Sequence, residues 1–259
     1  MMFHPFHLVE KSPWPMTSSI SAFSLTLGFV NYFTNNNSLL ILMAILILFL
    51  SSFQWWRDIS REASLQGMHT FYVLQGLKLG MILFILSEIF FFISFFWAFF
   101  HSSLSPNIEI GSMWPPKMIS PFNPFDMPLL NSTILISSGI SVTWAHHCIM
   151  NGKYQFSLNS LKITIMLGIL FTIFQMFEYF QAQFSITDGI FGSTFFMTTG
   201  FHGIHVIIGT IFLMVTFFRV KNNFISSNHH FGFEASAWYW HFVDIVWLFL
   251  FTFMYWWIF

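Results

Sequence analysis

Long apolar stretches dominate the chain, and short polar connections separate them. A helix needs about 20 apolar residues to cross the hydrocarbon layer of a bilayer. The stretches have about this length or more, and Pro, Gly and Asn residues that break helices lie between them. The pattern predicts seven transmembrane helices, with approximate cores at residues 16–33, 39–55, 73–100, 129–149, 158–180, 189–218 and 235–257.

Two of the connections suggest how the helices are organised. Residues 57–70 are polar and separate the first two predicted helices from the other five. Residues 102–128 contain six prolines, which exclude regular structure, and form the one long loop. We therefore expect an all-α membrane protein with a two-helix bundle and polar hinge at residues 1–70 and a five-helix bundle at residues 71–259.

The composition agrees with a protein whose surface faces lipid. Hydrophobic residues make up 56% of the chain and charged residues only 7%, whereas about 25% is typical of soluble proteins. The nine Lys and Arg residues form no basic face, so nucleic acid is not an expected partner. The single cysteine, Cys148, cannot form an internal disulfide or a CxxC redox pair.

The basic residues predict an orientation, because Lys and Arg stay on the side from which helices insert. If the N-terminus lies on that side, Lys117 is the only basic residue on the other. The odd number of helices then places the C-terminus opposite the N-terminus. The eight basic residues on the N-terminal side are Lys11, Arg57, Arg61, Lys78, Lys153, Lys162, Arg219 and Lys221.

Two acidic residues are expected near the middle of the membrane. Glu88 lies ten residues, about 15 Å along a helix, beyond Lys78, and Asp244 lies at a similar depth beyond Glu234. A carboxylate there is costly, so we expect it to be protonated, paired or hydrated. Asp244 shares a helix face with His241, its simplest partner. Glu178 is expected near the far interface, where it is easier to hydrate.

Eleven histidines are many for a membrane protein, and haem sites in helix bundles use imidazole ligands. One alternative is therefore a haem-binding redox protein that uses His202, His205 and His241. Hydrogen-bonded histidines without metal are the simpler interpretation. A second alternative is a proton-coupled transporter centred on Glu88 and Asp244, although the chain lacks the internal repeats typical of such proteins.

Basic and aromatic residues also cluster at the expected inner surface. Cations beside indoles at the level of the lipid headgroups suit an anionic phospholipid. Ordinary positive flanking of transmembrane helices explains the same charges. One part of this cluster contains Trp55, Trp56, Arg57, Arg61, Glu62 and His69, and the other contains Arg219, Lys221, His229 and His230.

The motifs of the chain resemble those of the mitochondrial cytochrome c oxidase subunit III family. They follow in order over nearly the whole length: HPFHLVEKSPWP, QWWRDISREASLQGMHT, GMILFILSEIFFFISFFWAFFHSSLSP, MWPPKMISPFNPFDMPLLN, VTWAHH, ITDGIFGSTFF, TGFHGIHVIIGT, SNHHFGFEASAWYWHFVDIVWLFLF and YWWIF. The resemblance implies seven helices, with the first two leaning away from the other five and leaving a V-shaped cleft filled with phospholipid.

The resemblance also implies a function without chemistry in this chain. The family is a core subunit of the respiratory-chain oxidase (complex IV) of the mitochondrial inner membrane, which passes electrons from cytochrome c to oxygen and pumps protons. We expect the chain to stabilise the catalytic haem-copper subunit I, with its N-terminus on the matrix side and its C-terminus in the intermembrane space. No catalytic residue, haem, copper or other metal is expected in it, and structural phospholipids are its expected ligands.

Carried over residue by residue, the family's lipid contacts fall on positions of the inner-surface cluster, and its buried helix-three carboxylate falls on Glu88. Two departures are visible. Phe71 replaces the proline or small residue frequent in relatives, and Lys78 replaces a frequent arginine, which loses bidentate phosphate geometry. The implied lipid-binding residues are Trp55, Trp56, Arg61, Glu62, His69, Arg219, His229, Phe231 and Gly232.

Overall fold

The computed structural model describes residues 6–117 and 119–259, and the described residues form seven long α-helices, as predicted. A 3₁₀ turn at Ile108–Ile110 lies in the proline-rich loop, and α7 continues into a π-helical turn at Phe251–Trp256. The helices are α1 Trp14–Asn35, α2 Leu39–Ser64, α3 Phe71–Ser103, α4 Met127–Met150, α5 Tyr154–Gln181, α6 Gly189–Lys221 and α7 Phe231–Leu250.

Helices α1 and α2 pack together as a hairpin. Asn36 adopts the left-handed conformation (φ 53°), and its N–H donates to the Tyr32 carbonyl at 2.9 Å, which ends α1. Gly28 is buried where the two helices approach most closely. A Cβ at this position would lie 2.9 Å from Ile41 Cγ1 and 3.0 Å from the Ile41 nitrogen. A glycine at residue 28 is therefore required by the packing of this hairpin.

The predicted polar hinge is shorter than expected, because α2 continues to Ser64. Asp58 in this extension accepts hydrogen bonds from Trp14 Nε1 at 2.7 Å and Arg57 Nε at 3.0 Å. These contacts support a helical conformation through polar residues that the sequence analysis assigned to a hinge. The chain divides into two compact units, Met1–Leu77 and Lys78–Phe259. The assignment of residues 1–70 and 71–259 as domains stays a prediction, as does the V-shaped cleft.

The core of the second unit forms around two tryptophans of α7. Trp240 and Trp247 are fully buried. Their indole N–H groups donate to hydroxyls of α4, Trp240 to Ser138 at 2.8 Å and Trp247 to Ser132 at 3.0 Å. Small residues let the neighbouring helices approach the ring of Trp240, since a Cβ at Gly209 would lie 2.9 Å from it. The pairing shows that α4 and α7 run antiparallel.

Helix α3 contacts α6 and α7 mainly through long aromatic side chains. Phe92 and Phe99 are buried, and Phe92 packs against His205 of α6 and Phe242 of α7 at ring-centroid distances of 5.1 and 6.1 Å. Most other apolar side chains of α3 point away from the protein, as expected for a helix in contact with lipid. Within residues 78–259, one side of α3 is therefore fixed by packing on α6 and α7.

Five of the seven helices are long and apolar enough to cross a membrane, namely α2, α3, α5, α6 and α7 with its π-helical turn. The chain is a multi-pass membrane protein. Helices α1 and α4 are long enough but lie outside this set, so their crossing stays a prediction. In α4 the buried positions include Asn131, Ser132 and Ser138, which face other helices rather than lipid. Their low hydropathy reflects packing inside the bundle.

Candidate lipid-binding surface and intramembrane carboxylates

Five predicted lipid contacts lie at or just beyond the end of α2. Trp55 and His69 are partly buried, whereas Trp56 and Arg61 are exposed. Glu62 Oε2 lies 3.0 Å from Nε2 of His7, a hydrogen bond that holds the N-terminal segment against α2. Glu62 is thus committed to a protein contact, and the exposed indole of Trp56 and guanidinium of Arg61 are the groups open to a headgroup.

Asp58 partly balances the charge of the nearby arginines. Its Oδ1 lies 2.9 Å from Arg57 Nη2 and 3.9 Å from Arg61 Nη1. These ion pairs are partly exposed, so each stabilises the protein little, about 0–1 kcal/mol. The longer distance leaves Arg61 largely available for another anion.

The other four predicted lipid contacts lie where α6 ends and α7 begins. Arg219 is in the last turn of α6 and is partly buried. Its guanidinium lies on Gly232, because a Cβ there would be 2.7 Å from Arg219 Nη1. Phe231 begins α7, and the His229 N–H donates to Ser226 Oγ at 3.0 Å. The absence of a side chain at Gly232 allows the guanidinium of Arg219 to pack against the first turn of α7.

Arg219 has no acidic partner among residues 6–117 and 119–259, since no carboxylate of this part lies within 4.0 Å of its guanidinium. A partly buried guanidinium keeps its charge and its donors, which favour a planar or tetrahedral oxyanion. The surroundings of Arg219 thus leave room for an external anion.

Lys78 is already paired within the second unit. Its Nζ lies 2.8 Å from Glu234 Oε2, and Glu234 Oε1 lies 3.5 Å from His230 Nε2. His230 Nε2 is in turn 3.3 Å from Nε2 of His146 on α4. The sequence predicted Lys78 and His230 on the same side of the membrane but gave no signal for this series of contacts.

Glu88 is paired with His205 of α6. Glu88 Oε2 lies 2.9 Å from His205 Nε2, and His205 Nδ1 lies 2.6 Å from the carbonyl oxygen of Phe201. Because a carbonyl only accepts, Nδ1 carries a hydrogen. One further proton is shared between Nε2 and the carboxylate, so the pair is neutral overall whether it is an ion pair or two neutral groups.

Two of the three histidines of the haem alternative, His202 and His205, hydrogen-bond to protein groups. His202 is buried, and its Nε2 lies 3.1 Å from the Val243 carbonyl oxygen. Both ring nitrogens of His205 have partners, as described above. The ring nitrogens of His205 are therefore not free to bind a haem iron. This counts against the haem-binding alternative.

The expected pair between Asp244 and His241 is wrong. No hydrogen bond joins these two residues, and Asp244 Oδ1 is buried without a hydrogen-bond partner in the part of the chain that the structure describes. Both side chains instead lie against Gly139 of α4, where a Cβ would be 2.9 Å from Asp244 Oδ2 and 3.7 Å from His241 Nδ1. The missing side chain at residue 139 leaves room for both groups beside α4.

Glu178 was expected near the far interface, where it is easier to hydrate; its depth stays a prediction, but hydration is wrong. The residue is 1% exposed. Its Oε1 accepts hydrogen bonds from the Tyr255 hydroxyl at 2.6 Å and from Gln175 Nε2 at 3.3 Å. Counting residues along α5 estimated the depth but not the helix face, and this face points into the bundle.

Comparison with known proteins gives the family. The family model for cytochrome c oxidase subunit III matches residues 4–259. The chain belongs to the cytochrome c oxidase subunit III family. A relative named cytochrome c oxidase subunit 3 from Rhipicephalus sanguineus is 78% identical over 257 residues, or 99% of this chain and 100% of the relative. Relatives of the same name from Aedes aegypti and Branchiostoma lanceolatum are 58% and 56% identical over 254 residues, or 98% of this chain and 97% of each relative.

The subunit III family match includes every predicted site residue, because all of them lie within residues 4–259. The features of this family member that the sequence did not predict include two long-range contacts and the burial of Glu178. His7 with Glu62 and Trp14 with Asp58 join positions 55 and 44 residues apart, for which no short spacing gives a signal. The buried position of Glu178 had one available signal, the other polar residue of the same helix face, Gln175, three positions earlier.

Proposed function

We propose that the chain is a non-redox core subunit of the cytochrome c oxidase of the respiratory chain in the mitochondrial inner membrane, with its N-terminus on the matrix side. The complex reduces oxygen to water with electrons from cytochrome c and pumps protons, and this chain contributes no redox centre or catalytic residue. The family match over nearly the entire chain supports this assignment.

Within the complex, the chain stabilises the haem-copper subunit I. The buried indoles of Trp240 and Trp247 and their hydrogen bonds to α4 support this role. A bundle with such a fixed core presents an outer surface of constant shape, which is what a packing subunit requires. The chain also binds structural phospholipids through the predicted contacts at the end of α2 and through those where α6 ends and α7 begins.

Arg219 carries the lipid-binding part of the proposal. It is a partly buried cation without an acidic partner within 4.0 Å in the described residues. A lipid phosphate supplies the missing anion and keeps the acyl chains in the membrane, where α6 presents apolar side chains such as Phe218. Arg61 is a second headgroup contact, with weaker expected binding because Asp58 shares its charge.

The test uses the assembled oxidase and native mass spectrometry to count retained phospholipids. Arg219→Ala is expected to reduce the occupancy of one phospholipid at least tenfold, because it removes the charge and the donors of the headgroup contact. Arg61→Ala is expected to have a smaller effect.

Lys221→Ala is the matched control, because it removes an exposed cation two residues away. Arg219→Lys should retain part of the lipid, since the charge remains but the bidentate geometry is lost. Equal lipid occupancy in Arg219→Ala, Lys221→Ala and the unmodified complex would contradict the proposed contact.

A further inference from the structure

Three potential metal ligands converge where α4 ends and α7 begins. They are His146 of α4, His230 immediately before α7 and Glu234 in the first turn of α7. One ligand atom from each lies within 4.8 Å of the other two. The helix periodicity brings His230 and Glu234 together at i and i+4, and the packing of α4 on α7 adds the third ligand. Nothing in the lipid-binding proposal uses this group.

Two of the separations within the group fit a tetrahedral ion. Two nitrogens bound to one tetrahedral Zn²⁺ at about 2.05 Å lie about 3.3 Å apart. Nε2 of His146 and Nε2 of His230 are 3.3 Å apart, and His230 Nε2 is 3.5 Å from Glu234 Oε1. His230 therefore already lies at the spacing of a neighbouring ligand from both His146 and Glu234, and the ligand atoms of His146 and Glu234 lie within 4.8 Å of each other.

A further hydrogen bond orients His230 as a ligand. Its Nδ1 lies 3.2 Å from the carbonyl oxygen of Ser226, so in the neutral ring the hydrogen is on Nδ1. The lone pair of Nε2 then faces His146 and the carboxylate of Glu234. A backbone carbonyl on the second nitrogen is the usual way in which proteins fix a metal-binding histidine.

Glu234 keeps one carboxylate oxygen for a metal ion although Lys78 is paired with the other. Lys78 Nζ lies 2.8 Å from Glu234 Oε2, the oxygen that does not face His230. The carboxylate can therefore contact Lys78 through one oxygen and an ion through the other. Lys78 is 44% exposed at its side chain, so it can move away from an arriving dication.

We propose that His146, His230 and Glu234 form a binding site for a divalent metal ion of the Zn²⁺ type, with a water molecule as the fourth ligand. Two imidazoles and one carboxylate are a common ligand set for Zn²⁺, and three protein ligands leave one position open. The site departs from the expectation that the chain holds no metal. It joins α4 to α7 at one end of the bundle and requires no haem or copper.

The test is Zn²⁺ binding to the full-length chain in lipid nanodiscs, measured by equilibrium dialysis and elemental analysis. We expect one Zn²⁺ per chain, with affinity at least tenfold weaker in His146→Ala and His230→Ala, because each variant removes one ligand. The matched control is His147→Ala, which removes an exposed neighbouring imidazole and should change the affinity less than twofold. Equal binding in all three variants would overturn the site.

A second variant keeps the test decisive where a histidine variant fails to fold. Lys78→Gln removes the competing cation and is expected to tighten Zn²⁺ binding at least threefold, because Glu234 then has no other positive partner at that oxygen. An unchanged or weaker affinity in Lys78→Gln, or no Zn²⁺ bound to the unmodified chain, would also overturn the site. Loss of lipid binding in Arg219→Ala would leave these results unaffected.

Discussion

The hydrogen bonds from two buried indoles to α4 give a quantitative prediction about the bundle core. Ser138→Ala removes the acceptor of Trp240 Nε1, which donates at 2.8 Å and lies in a fully buried ring. An N–H left without a partner inside a protein costs about 1–3 kcal/mol. We therefore expect Ser138→Ala to lower the free energy of unfolding by about 1–3 kcal/mol.

A double-mutant cycle separates this bond from the packing of the ring. Trp240→Phe removes the donor and part of the ring, and the double variant with Ser138→Ala removes both partners. The coupling free energy should be about 0.5–1.5 kcal/mol, the range measured for hydrogen bonds between helices in membranes and for neutral bonds in general. The corresponding pair Trp247 and Ser132, at 3.0 Å, should give a similar value.

The measurement is reversible unfolding in mixed detergent micelles, followed by far-ultraviolet circular dichroism so that the loss of an indole does not alter the signal. Ser137→Ala is the matched control, because this exposed serine is adjacent to Ser138 and bonds only to the Ile134 carbonyl of its own helix. A coupling free energy below about 0.2 kcal/mol, or an equal loss in the control, would refute the reasoning.

Two further predictions concern the same bundle and the same unfolding assay. Gly209→Ala should lower the stability because its Cβ would lie 2.9 Å from Trp240, whereas Gly203→Ala on the same helix meets nothing within 4 Å and should be neutral or slightly stabilising. Tyr255→Phe removes the 2.6 Å hydrogen bond to Glu178 and should lower stability by about 1–3 kcal/mol. Equal effects of the two glycine changes, or no effect of Tyr255→Phe, would contradict these expectations.

The sequence predicted the helices well because their length and hydropathy are set by the membrane itself. The first six predicted cores lie within observed helices, and the seventh runs through α7 and the π-helical turn and ends one residue beyond it. The end of α2 was not predicted, because it lies outside the apolar part of the helix. Residues 57–64 are polar, so hydropathy gives no signal for them, and their helical conformation accompanies contacts to distant residues such as Trp14. Hydropathy identifies the helical residues that face lipid. It gives little information about polar residues that continue a helix beyond the membrane.

The depth of acidic groups could be estimated from the sequence, but their partners could not. Rise per residue places a residue along a helix axis, whereas the partner depends on which helix faces it. Asp244 and His241 share a face of α7, yet both turn toward Gly139 of α4. Glu178 was placed near an interface, yet its helix face brings it to Tyr255 in the core. In each case the deciding fact is the identity of the neighbouring helix.

Glu88 shows what such a partner changes. The sequence analysis predicted a carboxylate that must be protonated, paired or hydrated, and the structure selects the pair with His205. His205 Nδ1 donates to the Phe201 carbonyl. One further proton is therefore shared between His205 Nε2 and the Glu88 carboxylate, and the pair of side chains is neutral overall. A neutral pair lowers the cost of burying the carboxylate in the membrane. A partly buried acidic residue in α3 is therefore explained by a histidine on α6, without requiring that Glu88 carry protons across the membrane.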